Sequence, residues 1–83
     1  MFDQQNRQAI WRKAQPIPNY DPNIWRWDKF GNVIKYANYG LTTEHGWEYD
    51  HITPSSLGGG DEIPNLQPLH WRANRQKSNR FIG

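Results

Sequence analysis

An aspartate and a histidine stand side by side at positions 50 and 51, and an asparagine follows at 65 after a loop rich in glycine and proline. From about His70 the chain becomes helix-compatible, and His70, Asn74 and Lys77 then fall at i, i+4 and i+7 on one face. These residue types suggest a chemistry. A carboxylate and an amide oxygen are hard ligands suited to Mg²⁺-like cations. An imidazole, which titrates near ~6.5 when free, is the usual proton acceptor at neutral pH. A strand delivering Asp50 and His51, a loop turning the chain back and a helix supplying Asn74 would together suit metal-assisted hydrolysis.

Those side chains need elements to hold them. Residues 47–52 read as a short strand, with Trp47 and Tyr49 facing one way and Glu48 and Asp50 the other. Residues 53–64 are rich in Pro, Ser and Gly, and the length fits an Ω-type loop with close ends. Residues 65–69 read as a second strand returning beside the first, in which Pro68 must sit at an edge or end. A helix is expected over 70–79, with Phe81 and Ile82 tucking its end into the core. Upstream, residues 24–28 and 33–36 flank a Gly31-Asn32 turn signal and predict a β-hairpin. Trp25 and Trp27 share one face of its first strand, where packing between elements is the expected role. Three prolines make residues 15–23 an extended connector. Residues 4–14 predict a short helix held by Trp11, and residues 37–46 a loop or single helical turn closed by Gly46.

At 83 residues the chain is expected to be one small domain that buries roughly 60% of its unfolded surface. No cysteine is present, which excludes disulfides and Cys-ligated zinc as staples. Five Trp, four Tyr and three Phe compensate with large buried areas. No apolar run approaches the ~20 residues of a membrane span, and the polar start lacks a signal-peptide core. A soluble, cytoplasmic protein without membrane contact is the expectation, with signal-independent secretion left open. The net charge is only +2, but its distribution is uneven. Arg72, Arg75, Lys77 and Arg80 run on without an acid, whereas acids gather over residues 44–50 and at Asp61 and Glu62. A basic segment beside an acidic pocket suits a polyanion held over a metal site. A solvated helix face explains the same charge run taken alone.

The ordered set Asp50-His51, Gly58-Gly59, Asn65-Leu66-Gln67, Leu69, Asn74 and Lys77-Ser78 resembles the signature of HNH endonucleases, over about residues 46–79. The hairpin segment from Asp28 to Asn32 and the pair Tyr39-Gly40 are similar, more loosely, to small stand-alone HNH proteins. The resemblance implies an α+β fold: a ββα-metal (His-Me finger) core with an N-terminal β-hairpin extension, forming a single nuclease domain over residues 1–83. It implies that His51 is the general base, that Asn65 pins the loop and so fixes the approach of His51, and that Asn74 ligates one divalent cation together with Asp50. Asn74 stands where the third letter of the motif is often His, the HNN version also used by the HNH domain of RNA-guided DNA nucleases. Mg²⁺ is the first expectation for the cation, with Mn²⁺, Ni²⁺ or Zn²⁺ as alternatives. Many relatives hold a structural zinc on two Cys-x-x-Cys pairs. Here His70 and Ala73 occupy the places of one pair, so no structural zinc is expected. His70 is then an auxiliary candidate, lying near the cation, near a phosphate, or simply packed.

The implied reaction is hydrolysis of DNA phosphodiester bonds, with RNA left open. One cation would act as Lewis acid on the phosphoryl group and stabilise the 3′ leaving oxygen. A histidine base must be neutral to accept a proton from water, so cleavage should rise with pH through about 6–7. A flat profile across about pH 5–8 would argue against His51 in that role. A backbone carbonyl is expected to orient its second ring nitrogen. Arg72, Arg75, Lys77 and Arg80 are the expected phosphate contacts. Glu48 shares the strand face of Asp50 as a group behind the ligands, and His45 reads as a loop residue. Two other readings stand beside this one: a catalytically silent nucleic-acid-binding module of the same fold, and an interaction domain built on exposed Trp25 or Trp27. No segment is suited to reading base edges, so specificity would come from elsewhere, a protein partner included, and oligomeric state stays open.

Overall fold

A computed structural model describes the backbone of residues 2–82 and the side chains of residues 6–77. The elements run α1 (Phe2–Trp11), β1 (Gln15–Pro16), β2 (Trp25–Trp27), β3 (Val33–Lys35), β4 (Trp47–His51), β5 (Leu66–His70) and α2 (Trp71–Ile82). Short 3₁₀ turns at Tyr36–Asn38, Ser55–Leu57 and Ile63–Asn65 lie between them. The fold is a small α+β arrangement with two antiparallel sheets, β1-β2-β3 and β4-β5. Among the described residues no helix is long and apolar enough to cross a membrane.

The β4–β5 ribbon organises the rest. Its register runs from Trp47 opposite His70 to His51 opposite Leu66. The two-residue period turns Trp47 and Tyr49 toward the aromatic core and Glu48 and Asp50 toward α2. On the core side Ile10 and Trp11 of α1 pack with Ile34, Trp47 and Leu66, flanked by Tyr36, Tyr39 and Tyr49. The Trp47 ring meets Trp11 at 5.2 Å and Tyr39 at 5.1 Å, and its indole N–H donates to the Tyr36 carbonyl at 3.2 Å. Trp47 thus buries a large apolar body while its indole N–H is satisfied. Pro68 lies inside β5 opposite Tyr49, which a two-stranded ribbon tolerates because both strands are edges.

The N-terminal extension is one strand larger than a hairpin. Gln15 and Pro16, expected in a connector, pair with Trp27 and Arg26. Arg26 ties this edge down, with its guanidinium donating to the carbonyls of Pro22, Arg12 and Ala14. Burial, and then the nearby Arg12 charge, lower the Arg26 pKa from its ordinary value. Trp25 and Trp27 are half-buried and lie outside the central cluster. Trp25 stands edge-on to His45 at 5.2 Å with the Lys35 ammonium over its ring. Gly46 closes the segment before β4, since a Cβ there would lie 1.8 Å from the Leu41 carbonyl oxygen.

The extension is joined to the ribbon by Asp28, which is 3% exposed. Its Oδ1 accepts from the Phe30 and Asn32 backbone N–H groups at 3.0 and 2.8 Å. Its Oδ2 accepts from the Asn32 side chain and from the His70 backbone N–H, both at 3.0 Å. Charge-assisted bonds to amides let a carboxylate be buried without a cation. Asp28 thereby spans the hairpin tip and the junction between β5 and α2.

Two expectations are corrected at that junction. His70 is the last residue of β5 rather than the first of the helix, and α2 starts at Trp71. The side chain of His70 does not join Asn74 and Lys77 on a helix face. Its Nδ1 accepts from the Arg72 backbone N–H at 3.1 Å as a helix cap, and its Nε2 donates to the Glu44 carbonyl at 2.7 Å. The expected tucking of Phe81 and Ile82, like the side chains of Ser78 and Arg80, lies outside the described residues.

Candidate active site

α2 crosses the polar side of the ribbon, and helix spacing matches strand spacing there. Asn74 and Lys77, three apart on α2, stand over Glu48 and Asp50, two apart on β4. The Asn74 amide nitrogen donates to Glu48 Oε1 at 3.0 Å, and it lies 3.5 Å from the Tyr49 carbonyl oxygen. Lys77 Nζ donates to both Asp50 oxygens, at 3.0 and 2.8 Å, and to the His51 carbonyl at 3.0 Å. Gln67, directly opposite Asp50 in the ribbon, donates to Asp50 Oδ2 at 2.7 Å. Asp50 is 4% exposed, so its charge is buried among donors that satisfy it.

Lys77 therefore departs from its expected place. Sequence reading grouped it with Arg72, Arg75 and Arg80 as a phosphate contact, yet its ammonium turns inward onto Asp50. An exposed position for Lys77 would leave the buried Asp50 carboxylate without its cation, which favours the inward rotamer. Arg72 and Arg75 stay on the outer surface, each with its guanidinium 5.0 Å from the Trp71 ring centre. Trp71 is itself anchored, its indole N–H donating to the Thr43 carbonyl at 2.7 Å. Arg75 also lies 3.7 Å from Glu48.

The loop over residues 53–64 is closed by Asn65. Its Oδ1 accepts from the Thr53 N–H at 2.8 Å, and its Nδ2 donates to the carbonyls of Thr53 and Gly60 at 3.1 and 2.8 Å. One amide side chain thus bonds the start of the loop and its glycine segment. Gly59 lets them approach, because a Cβ there would lie 1.7 Å from the Thr53 oxygen. His51 stands at the foot of this loop, as the last residue of β4, with a side chain 38% exposed. The ring nitrogen Nε2 lies 2.6 Å from Asp61 Oδ1, so the described partner of this imidazole is a carboxylate rather than the expected backbone carbonyl.

Sequence reasoning gives no individual role to Asp61, named only among the clustered acids, or to Gln67, named only within the motif. For Asp61 the local signal is an acid directly after three glycines, and the contact of Gln67 with Asp50 emerges only once the strand register puts the two opposite. Glu48, read as a group behind the ligands, bonds Asn74. His70 lies at the Asp28 junction with both ring nitrogens engaged.

Among the described residues no three His, Asp or Glu side chains converge as a cation cage. A cation that keeps most of its water needs fewer protein oxygens than such a cage. Both partners of the Asn74 amide are acceptors, so nitrogen must face them and Oδ1 is left to face away. A carboxylate and an amide oxygen are suitable protein ligands for Mg²⁺, which is held by one or two such groups plus water and phosphate. Asp50 and Asn74 would hold such an ion, in competition with the Lys77 ammonium.

Comparison with curated proteins and with solved structures gives no match. The family model of the HNH endonuclease matches residues 38–80, just over half the chain and the whole of the β4–loop–β5–α2 unit as far as Arg80. With that match lying over the geometry described above, the chain belongs to the HNH endonuclease family.

Proposed function

We propose that this chain is a divalent-cation-dependent endonuclease that hydrolyses phosphodiester bonds of DNA, with residues 1–83 acting as one nuclease domain. The observation that carries the reading is the pairing of a buried carboxylate, Asp50, with a half-exposed imidazole on the next residue, His51, at the mouth of a loop pinned by Asn65. His51 takes the proton from the attacking water. Asn65 holds the loop against the end of β4 and so limits the orientations open to His51. Asp50 and Asn74 would hold the cation, which when bound would supply Lewis-acid stabilisation of the phosphoryl group and the leaving oxygen. Arg72 and Arg75, braced on Trp71, bind backbone phosphates without reading sequence.

One observation favours a second reading. Lys77 occupies both Asp50 oxygens, an arrangement that suits a silent module whose own ammonium replaces the cation. Supercoiled plasmid incubated with the protein and Mg²⁺, Mn²⁺ or Ni²⁺, each against EDTA, separates the two. Metal-dependent nicking that disappears in His51→Ala is the expected result. Intact plasmid under every metal, together with salt-sensitive gel-shift binding, would favour the silent module.

A further inference from the structure

His51 and His70 obey the same rule with different outcomes. Each imidazole has two nitrogens, and the partner of one decides the protonation of the other. His70 uses both, with Nδ1 accepting from Arg72 and Nε2 donating to Glu44, so neither is left for chemistry. His51 engages Nε2 with Asp61 Oδ1 at 2.6 Å. An ionised carboxylate can only accept a hydrogen bond, so the proton of this contact sits on Nε2. The neutral ring then carries its lone pair on Nδ1.

We propose that Asp61 is a positioning residue for His51: it selects the Nε2–H tautomer and holds the ring so that Nδ1 is the proton acceptor. The inference rests on the reading of His51 as base.

The Asp61 side chain is 91% exposed, so as an ion pair it contributes little to stability. Its role does not depend on that energy. The two neutral tautomers of an imidazole are both ordinary species, and one well-placed acceptor is enough to favour one of them. Placement comes from the loop. Asn65 Nδ2 holds the Gly60 carbonyl at 2.8 Å, immediately before Asp61. Gly59 packs where a Cβ would meet the Thr53 carbonyl and the Asn65 amide. On the other side His51 and Asp61 border an open cleft also lined by Asn6, Ile10, Tyr49, Ile63 and Leu66. The chain of support therefore runs from Asn65 through Gly60 to Asp61 and on to the ring.

The test uses the full chain labelled with ¹⁵N and long-range ¹H–¹⁵N correlation of the His51 ring, recorded on the alkaline side of its observed titration. The wild type should show protonated Nε2 and bare Nδ1. Asp61→Ala should show a mixture of tautomers, and Asp61→Glu should recover the wild-type pattern. In plasmid cleavage, Asp61→Ala should lower kcat about tenfold or more with KM for DNA unchanged, and Asp61→Glu should recover part of it. An identical tautomer pattern in wild type and Asp61→Ala would overturn the proposal, and so would a kcat within about twofold of wild type. The spectrum needs no cleavage. A wild-type protein that cuts no DNA would end the nuclease reading, while the tautomer pattern still decides the Asp61 contact.

Discussion

Two aspartates in this molecule are equally buried, Asp28 at 3% and Asp50 at 4% exposure, and their partners differ in kind. Asp28 accepts four hydrogen bonds from neutral amides, three of which are backbone N–H groups of a turn and of a strand end. Asp50 is held by one lysine ammonium and one glutamine amide, both on side chains. A backbone amide cannot leave without undoing the fold around it. A lysine can, because its long flexible stem gives the ammonium a route to water, and the Lys77 side chain is already 21% exposed. The difference teaches that burial of a carboxylate does not state its job. Asp28 is committed to holding the N-terminal sheet on the ribbon, whereas the partner of Asp50 can be exchanged.

The largest expected effect falls on Asp50. Asp50→Asn should lower metal-dependent plasmid cleavage on the order of 10²-fold or more, since Lewis-acid stabilisation is worth several kcal/mol. Wild-type rates in that variant would place Asp50 with Asp28 as a purely structural group. Asp28→Ala should act on stability instead. Stranding buried amide donors costs about 3 kcal/mol, or roughly 12–24 °C in thermal midpoint for a domain this small. A melting curve followed by circular dichroism that shifts by less than about 3 °C would dissolve the contrast from the other side.

Lys77→Met sharpens the comparison at the point of exchange. Removing the competing ammonium should tighten Mn²⁺ binding about tenfold, about 1.4 kcal/mol, measured by titration calorimetry. Unchanged or weaker binding would mean that Lys77 supports the cation site rather than competing for it. The smallest effects belong to the outer face of α2. Arg72→Ala and Arg75→Ala should each reduce the salt dependence of DNA binding by about one in log–log slope and change stability by less than ~0.5 kcal/mol. A slope equal to that of the wild type would remove the residue concerned from the phosphate contacts.

Much of the fold was legible because its signals are local. Alternation over residues 47–52, the Gly31-Asn32 turn and the helix-compatible run from about His70 announce strand, hairpin and helix from neighbouring residues alone. β1 was not legible, because a two-residue strand exists only through its pairing with Trp27 and Arg26. The boundary at His70 was misplaced by one residue for a similar reason. Its helical spacing to Asn74 is real, but its backbone belongs to the ribbon and its ring to the cap of α2.

At the site, residue types and order by themselves determined the chemistry on offer: a carboxylate, an imidazole, a loop-closing amide and a second amide, in a sequence that already resembled its family. Tertiary structure decided which of these groups meet. Asp61 reaches His51 across 10 residues, Lys77 reaches Asp50 across 27, and the His70 amide reaches Asp28 across 42. No local pattern encodes such pairings, because each depends on strand register and on the path of a helix or loop over the ribbon. A shift of one residue in register would turn every side chain of a strand to the opposite face.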